Sequence, residues 1–539
     1  AAVASIGQAP RKLVIVDSDD REQMLFYLPA REAFERMPPS VLPVAQMRQQ
    51  AEQIRSIPDA QRTAHDWVSL AEAALSLEGR TKANEALAAA KRQPLSGSLA
   101  SRVTLVEAVI AASEGRYGEA ASLFERATTG LDPQRRAIAL YGGYYARALS
   151  HPERVEPLPP QIGGADAAFL RAYAIGFLKD LPSAIEVLKQ AEASFPEDPE
   201  LPAYRAWLAL LLNDRPQAEE AMQRSLSLDP SEPTALEVRA HFRSGFQGDL
   251  EGALSDLLTA VAITPGSSTT WNEIGNVQSA RGANREAEAA FQKAISLDPQ
   301  DPVSHANLAI FYLDNSRVTE ARKHIDLALA ADPNFDIGLV ARGRYHLQTG
   351  ELDKAIDDLL AGTVSNPAYS QGQLLLAAAH YEKGDRVPAE QALDNAQRLD
   401  DNDPVVYSFR AAVAIDDYDS VTAIRNAQEF VRRSRERGGE FAALGANHDA
   451  GSTLNNAFRM QGLNAWGEYY GDAVFDPFVG TSYIDQSLRG SADPFANDET
   501  FGSDVTNNIP NSKAFSSLLQ GLMLEPHLIS GRSRSANLL

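Results

Sequence analysis

Apolar and small side chains recur along this chain at intervals of 34 residues. One window reads Trp271, Ile274 and Gly275, then Ala287, Phe291, Ala294 and Pro299. One period later stand Leu308, Ala309, Tyr312, Ala321, Ile325, Ala328 and Pro333; the next gives Gly343, Gly350, Ala355, Leu359, Gly362 and Pro367. A further period gives Leu376, Ala377, Gly384, Ala389, Leu393 and Ala396, with the proline displaced to Pro404. Backwards, the same offsets hold through Ala253, Leu257 and Ala260, then Ala218, Met222 and Ser225, then Ala184, Leu188 and Ala191. A sustained repeat of this length predicts a stack of helix pairs, two helices per unit. Gly275, Ala309, Ala287 and Ala321 fall where paired helices approach, and a larger side chain there forces backbones apart. Phe291, Ile325 and Leu359 fill the space between units. Asp298-Pro299 and Asp332-Pro333 end the second helix, because proline disfavours helix at the residue before it.

These offsets resemble the tetratricopeptide repeat (TPR) pattern: Trp-x2-Leu-Gly-x2-Tyr, then Ala-x3-Phe-x2-Ala and Pro. The resemblance covers residues 165–437, about half the chain, and tryptophan keeps its position only at Trp271 and Trp67. It implies an all-α fold: an α-solenoid, or superhelix, of TPR-like helix hairpins with an inner groove and an irregular C-terminal tail. Degenerate units are expected in 41–149, carried by Trp67, Leu70, Ala71, Ala83 and Leu87, then by Ala108, Ala120, Phe124 and Ala127. Ala465, Tyr469 and Pro477 suggest a worn capping repeat within 438–479, since terminal units are atypical.

The flanks differ in kind. Residues 1–40 carry two apolar runs, Leu13–Val16 and Met24–Leu28; the first suits a strand, though an extended segment lying on the first helices is the expectation. Residues 150–164 are a Pro/Gly-rich linker before the main array. Residues 480–539 are rich in Gly, Asn, Ser and Asp yet keep anchors such as Phe495, Phe501 and Leu518. An irregular tail pinned by these, with a short helix near 512–524, is expected. The tail is similar to the stretch ahead of the barrel in bacterial proteins that fuse TPR arrays to outer-membrane barrels.

Charge narrows the function. The 539 residues carry 50 Lys+Arg against 72 Asp+Glu, a formal net charge of −22. Nucleic-acid binding needs a basic footprint, so no nucleic-acid partner is expected; docking on anionic lipid is disfavoured for the same reason. Cysteine is absent, which removes disulfides and thiolate chemistry. No apolar run reaches the roughly 18 residues of a membrane-spanning helix. The chain begins with small residues and no methionine, which suggests a processed N-terminus and a periplasmic or cell-surface location in a Gram-negative bacterium, with the cytoplasm as the alternative.

No phosphate-binding loop, Gly-x-Ser-x-Gly, His-Glu-x-x-His or EF-hand pattern is present, so no catalytic residue, metal ligand or cofactor is nominated and an enzyme is not expected. His346 and His380 stand 34 residues apart, at a position the family normally uses for packing. The resemblance places the binding groove on the first helix of each unit. There the chain offers Phe169, Tyr173, Trp207, Phe242, Asn272, Asn276, Ile310, Leu313, Val340, Arg344, Leu347 and Tyr381. It lacks the Lys/Arg set of the family's carboxylate clamp. An apolar and aromatic groove suits a helical or extended segment of a partner protein. The aromatic row would equally stack on sugars, or pack on neighbouring helices or on the chain's own tail. The expected function is a non-catalytic scaffold for protein–protein interaction in a bacterial envelope or surface assembly. The alternatives are a periplasmic component of exopolysaccharide export or binding, and a structural subunit strapped to its neighbour by the tail.

Overall fold

Each period folds into an antiparallel helix pair, and the repeated small residues explain why. A Cβ added to Gly275 would fall 2.5 Å from the Phe291 ring, and one on Gly343 would fall 2.5 Å from Leu359. Ala287, Ala309 and Ala321 are wholly buried at the equivalent contacts. The Asp-Pro steps act as expected: Asp298 and Asp332 leave the helix with extended backbone. Each side chain then caps the turn, Asp332 accepting from the Asn334 N–H at 2.9 Å. Asp301 opens the next helix by accepting from the Ser304 N–H at 2.9 Å, with Pro302 in the first turn.

The structure is a computed structural model. It describes residues 12–16, 22–26, 34, 42, 44–151, 157, 159, 164–436, 475–476 and 481–482, with breaks at 179–180, 213, 248, 316, 367–368 and 400–402. Twenty-two helices are described. The N-terminal block holds α1 (Val44–Arg55), α2 (Ala64–Leu77), α3 (Arg80–Ala90), α4 (Gly97–Ser113), α5 (Tyr117–Ala127) and α6 (Pro133–Ser150). The array continues as α7 (Ala165–Leu178) and α8 (Leu181–Ser194), α9 (Glu200–Leu211) and α10 (Arg215–Leu228), α11 (Pro233–Phe242) and α12 (Leu250–Ile263). Then come α13 (Ser268–Ala280) and α14 (Asn284–Leu297), α15 (Pro302–Asp314) and α16 (Val318–Ala331), α17 (Asp336–Gln348) and α18 (Leu352–Ser365). The last pairs are α19 (Ser370–Lys383) with α20 (Arg386–Leu399), and α21 (Pro404–Asp416) with α22 (Ser420–Glu436).

From α13 to α19, first helices touch the first helices of the next unit, and from α14 onward each second helix packs on the first helix that follows it. First helices therefore form one continuous layer of a superhelix. The Pro/Gly-rich stretch follows α6, which packs on both α5 and α7 without a second helix of its own. In the N-terminal block, buried Glu72 on α2 receives two guanidinium groups, Arg102 from α4 at 2.7–2.8 Å and Arg135 from α6 at 3.0–3.1 Å. The carboxylate is buried because both of its oxygens are paired.

The two N-terminal apolar runs, expected to lie extended on the helices, pair with each other. β1 (Lys12–Val16) runs antiparallel to β2 (Glu22–Phe26), with Val14 opposite Met24. A second strand satisfies backbone groups that an isolated extended run would leave to water. Phe34 is buried among α4, α5 and α6 residues, its ring 5.3 Å from that of Tyr145 and 6.1 Å from that of Phe124. Of the C-terminal region, only β3 (Phe475–Asp476) and its partner β4 (Thr481–Ser482) are described. The worn repeat at 438–479 otherwise lies outside the described residues, as do the helix near 512–524 and the tail anchors.

The superhelix also closes on itself. The α2–α3 turn meets the loop between α12 and α13, far along the chain, and the Gly266 N–H donates to the Leu77 carbonyl at 2.8 Å. A Cβ on Gly266 would sit 2.1 Å from the Glu78 carbonyl carbon, so the two backbones touch. Arg80, in the first turn of α3, pairs with buried Asp298 and also donates to the Ser113 carbonyl at 3.1 Å. Gly266→Val is expected to part this seam, at a cost of about 1–3 kcal/mol from overpacking. Small-angle scattering should show an enlarged radius of gyration; an unchanged radius and melting curve would mean that the seam carries no load.

Candidate functional site

The first-helix layer holds the residues that the sequence nominated. The structure distributes them in two groups. Phe169, Tyr173, Trp207 and Phe242 belong to one buried cluster shared by α4 to α11. Phe169 stacks on Tyr204 with centroids 3.9 Å apart and meets Tyr173 edge-on at 4.6 Å. Trp207 lies 5.9 Å from His241. These four rings are core and form no open aromatic row. Leu313, Leu347 and Asn272 are likewise buried. Tyr381 is half-buried, edge-on to Phe409 at 5.9 Å, with the Arg386 guanidinium 4.3 Å above its ring.

The second group converges. Asn276 on α13, Ile310 on α15, and Val340 and Arg344 on α17 line one cavity of about 40 Å³. Asn307, Asp314, Tyr369, Gln371 and Leu375 complete its walls together with Phe291 and Phe311. Its centre is the Arg344–Asp314 ion pair, 2.6 Å apart, with side chains 2% and 1% exposed. Each charge neutralises the other, so the pocket carries no net charge from them. Burial, with Asp336 nearby, holds the Tyr369 phenol well above its ordinary range. Asn307, Asp314 and Gln371 were not read from the sequence. Asp314 had a signal: a carboxylate ending the apolar run Ile310–Leu313, with an arginine on the first helix of the next unit. Gln371 had none, since it opens α19 where a polar residue is ordinary.

A second cavity, of about 140 Å³, lies beside the seam, between Phe34, Val109 and Tyr204 on one side and Glu237, Gly266 and Asp298 on the other. Its carboxylates are engaged: Glu237 accepts from the Thr270 hydroxyl, and Asp298 holds Arg80.

Two of the described histidines stand beside carboxylates. His346 Nδ1 lies 2.6 Å from Glu351 and its Nε2 3.6 Å from Asp358, while His380 Nδ1 is 3.7 Å from Asp385. Among the described residues no group of three or more His, Cys, Asp or Glu side chains is arranged to hold a metal ion. No described helix is long and apolar enough to cross a membrane.

One histidine, His324, titrates with consequence for stability. His305 Nδ1 and His324 Nδ1 are 3.0 Å apart, and His305 Nε2 is 3.0 Å from the Pro299 carbonyl. Burial, then the neighbouring His305 and Lys323, push His324 down to about 4, against a weaker opposing pull from Glu288. The unfolded chain therefore binds a proton that the folded chain refuses between about pH 6.5 and pH 4. Stability from this group is complete above pH 6.5 and lost as pH falls through that window, by about 1–2 kcal/mol after solvent screening. Urea midpoints of wild type and His324→Asn should converge in acid; a wild-type midpoint as high at pH 4.5 as at pH 7 overturns the assignment.

Comparison with known proteins agrees with the repeat geometry. Tetratricopeptide repeat families match residues 278–343, and separately residues 68–136, 170–233 and 340–404. The chain is a tetratricopeptide repeat protein. Over 168 residues it is 25% identical to anaphase-promoting complex subunit cut9 of Schizosaccharomyces pombe, covering 31% of this chain and 24% of that protein. Over 179 residues it is 26% identical to cellulose synthase operon protein C of Pseudomonas fluorescens, covering 32% of this chain and 14% of that protein. The chain thus matches a quarter or less of the length of either relative. Among solved structures, the APC/C hetero-tetramer Cut9–Hcn1 aligns over 89% of this chain and 96% of that one, at 17% identity and a TM-score of 0.45. The human IFIT1 dimer with PPP-AAAA aligns over 86% of this chain and 100% of that one, at 13% identity and a TM-score of 0.42.

Proposed function

We propose that this chain is a non-catalytic scaffold that holds a helical or extended segment of a partner protein against the first-helix layer of its superhelix. Repeat proteins of this family typically act as scaffolds that bind protein partners. The observation that carries the reading is the pocket of Asn276, Asn307, Ile310, Val340, Arg344 and Gln371, drawn from four successive first helices. A ligand crossing it touches several repeats at once, which is how a stacked array gains contact area without a closed site. The aromatic residues Phe169, Tyr173, Trp207 and Phe242 serve this reading as the rigid core behind the layer. A photo-crosslinking residue at Ile310 should trap a partner in the producing cell, whereas one at the exposed Leu327 on α16 should not. Crosslinks from Leu327 alone would sink the reading.

The setting we favour is the envelope or surface of a Gram-negative bacterium, in the periplasm or on the cell surface. The likeness to cellulose synthase operon protein C supports it. The same likeness supports a second reading, a periplasmic component of exopolysaccharide export or binding. Retardation of the pure chain in a polysaccharide affinity gel favours that second reading; free migration favours the scaffold. The likeness to an anaphase-promoting complex subunit supports a third reading, a subunit of a larger assembly.

A further inference from the structure

Gln371 is the one described side chain of the α13–α19 pocket that is 2% exposed, lines the cavity and has an amide nitrogen without a hydrogen-bond partner. A buried donor left unpaired costs about 1–3 kcal/mol, so the site is organised for an acceptor that is not part of the fold. Asn276 and Asn307, half-buried on α13 and α15, add carboxamide groups at the same cavity. The Asn276 amide reaches Glu273 only at 3.4 Å. The one cation among the lining residues, Arg344, is held 2.6 Å from Asp314, so the cavity offers an anionic ligand no uncompensated charge. Desolvating a carboxylate there would go unrepaid. The remaining wall is apolar: Ile310, Val340 and Leu375. Its volume of about 40 Å³ holds roughly three water-sized groups, the heavy-atom count of a carboxamide.

We propose that this pocket receives the neutral carboxamide of an asparagine or glutamine side chain from an extended partner segment. The ligand's carbonyl oxygen accepts from Gln371 Nε2, its NH2 donates to the side-chain oxygen of Asn307 or Asn276, and its methylene stem lies on Ile310 and Val340. This rests on the scaffold reading, and it excludes a chain-terminal carboxylate as the group recognised.

The test is selection of a displayed library of unconstrained 12-residue peptides on the full-length chain. Asparagine or glutamine should be enriched at one position of the selected peptides, and its exchange for aspartate or glutamate should weaken binding at least tenfold. Gln371→Leu removes an orphaned amide from the core and should fold at least as stably as wild type, yet lose that discrimination. Asn307→Ala, at a half-buried position, should weaken the same peptides several-fold. Peptides that bind without a carboxamide preference, or that bind the Gln371→Leu protein equally, overturn this proposal and leave the scaffold reading standing. Failure to select any peptide removes both. Displacement of selected peptides by N,N′-diacetylchitobiose would assign the pocket to a sugar acetamide and overturn the protein partner.

Discussion

Ala287→Asp is expected to lower the stability of the array by about 3–5 kcal/mol, the cost of leaving a buried charge without a partner. Ala287 has no exposed surface and stands at the contact between α13 and α14, with Phe291 one turn away on the same helix. With no exposed surface at this position, the carboxylate cannot reach solvent without separating the pair. Ala287→Ser, smaller and uncharged, should cost far less. Urea denaturation followed by far-ultraviolet circular dichroism reads both; an aspartate variant within 1 kcal/mol of wild type would mean that the repeat register is misplaced.

Asp314→Ala is expected to cost a similar amount, about 3–5 kcal/mol, for a different reason: it removes the buried carboxylate that pairs with the Arg344 guanidinium. The pair itself is not a net source of stability, because desolvating two ions offsets most of their attraction. The double substitution Asp314→Leu with Arg344→Met should therefore recover most of the loss, and can exceed wild type. A double variant as unstable as the single one would show that the pair organises α15 against α17 in a way that apolar side chains cannot replace.

Which parts of this were legible in the sequence follows from where the forces act. Glycine, alanine and proline at the helix contacts are dictated by sterics within a unit, and the unit repeats, so Gly275 and Gly343 can be placed at close approaches from spacing alone; their partners Phe291 and Leu359, expected between units, meet them inside the same unit, because the space a missing side chain leaves is filled by the paired helix. Helix ends at Asp298 and Asp332 are equally local. The layer to which Tyr173 and Trp207 belong was legible too, since it follows from helix position. Whether that layer is open was not. Their burial depends on neighbours such as Tyr204 and on packing across several units, which a single period does not encode. Gln371 escaped notice because a glutamine near a helix start has no periodic signature; only the fold shows that its amide nitrogen is sealed in without a partner. The contact of Gly266 with the α2–α3 turn joins residues with no common motif, and glycine in a loop is unremarkable until something is found against it.

That contact alters how the molecule yields to force and to truncation. In an open stack each unit answers only to its neighbours, and ends fray independently. Here the first hairpin is fastened by a backbone hydrogen bond and a sheltered Arg80–Asp298 ion pair to a coil many units away. Deleting α2 and α3 would strip cover from Asp298 and Gly266, so the middle of the chain should soften when its beginning is cut. The intervening helices form a closed loop, held like a clasped bracelet rather than a free spring, and hydrogen exchange across α4 to α12 should reflect that tie.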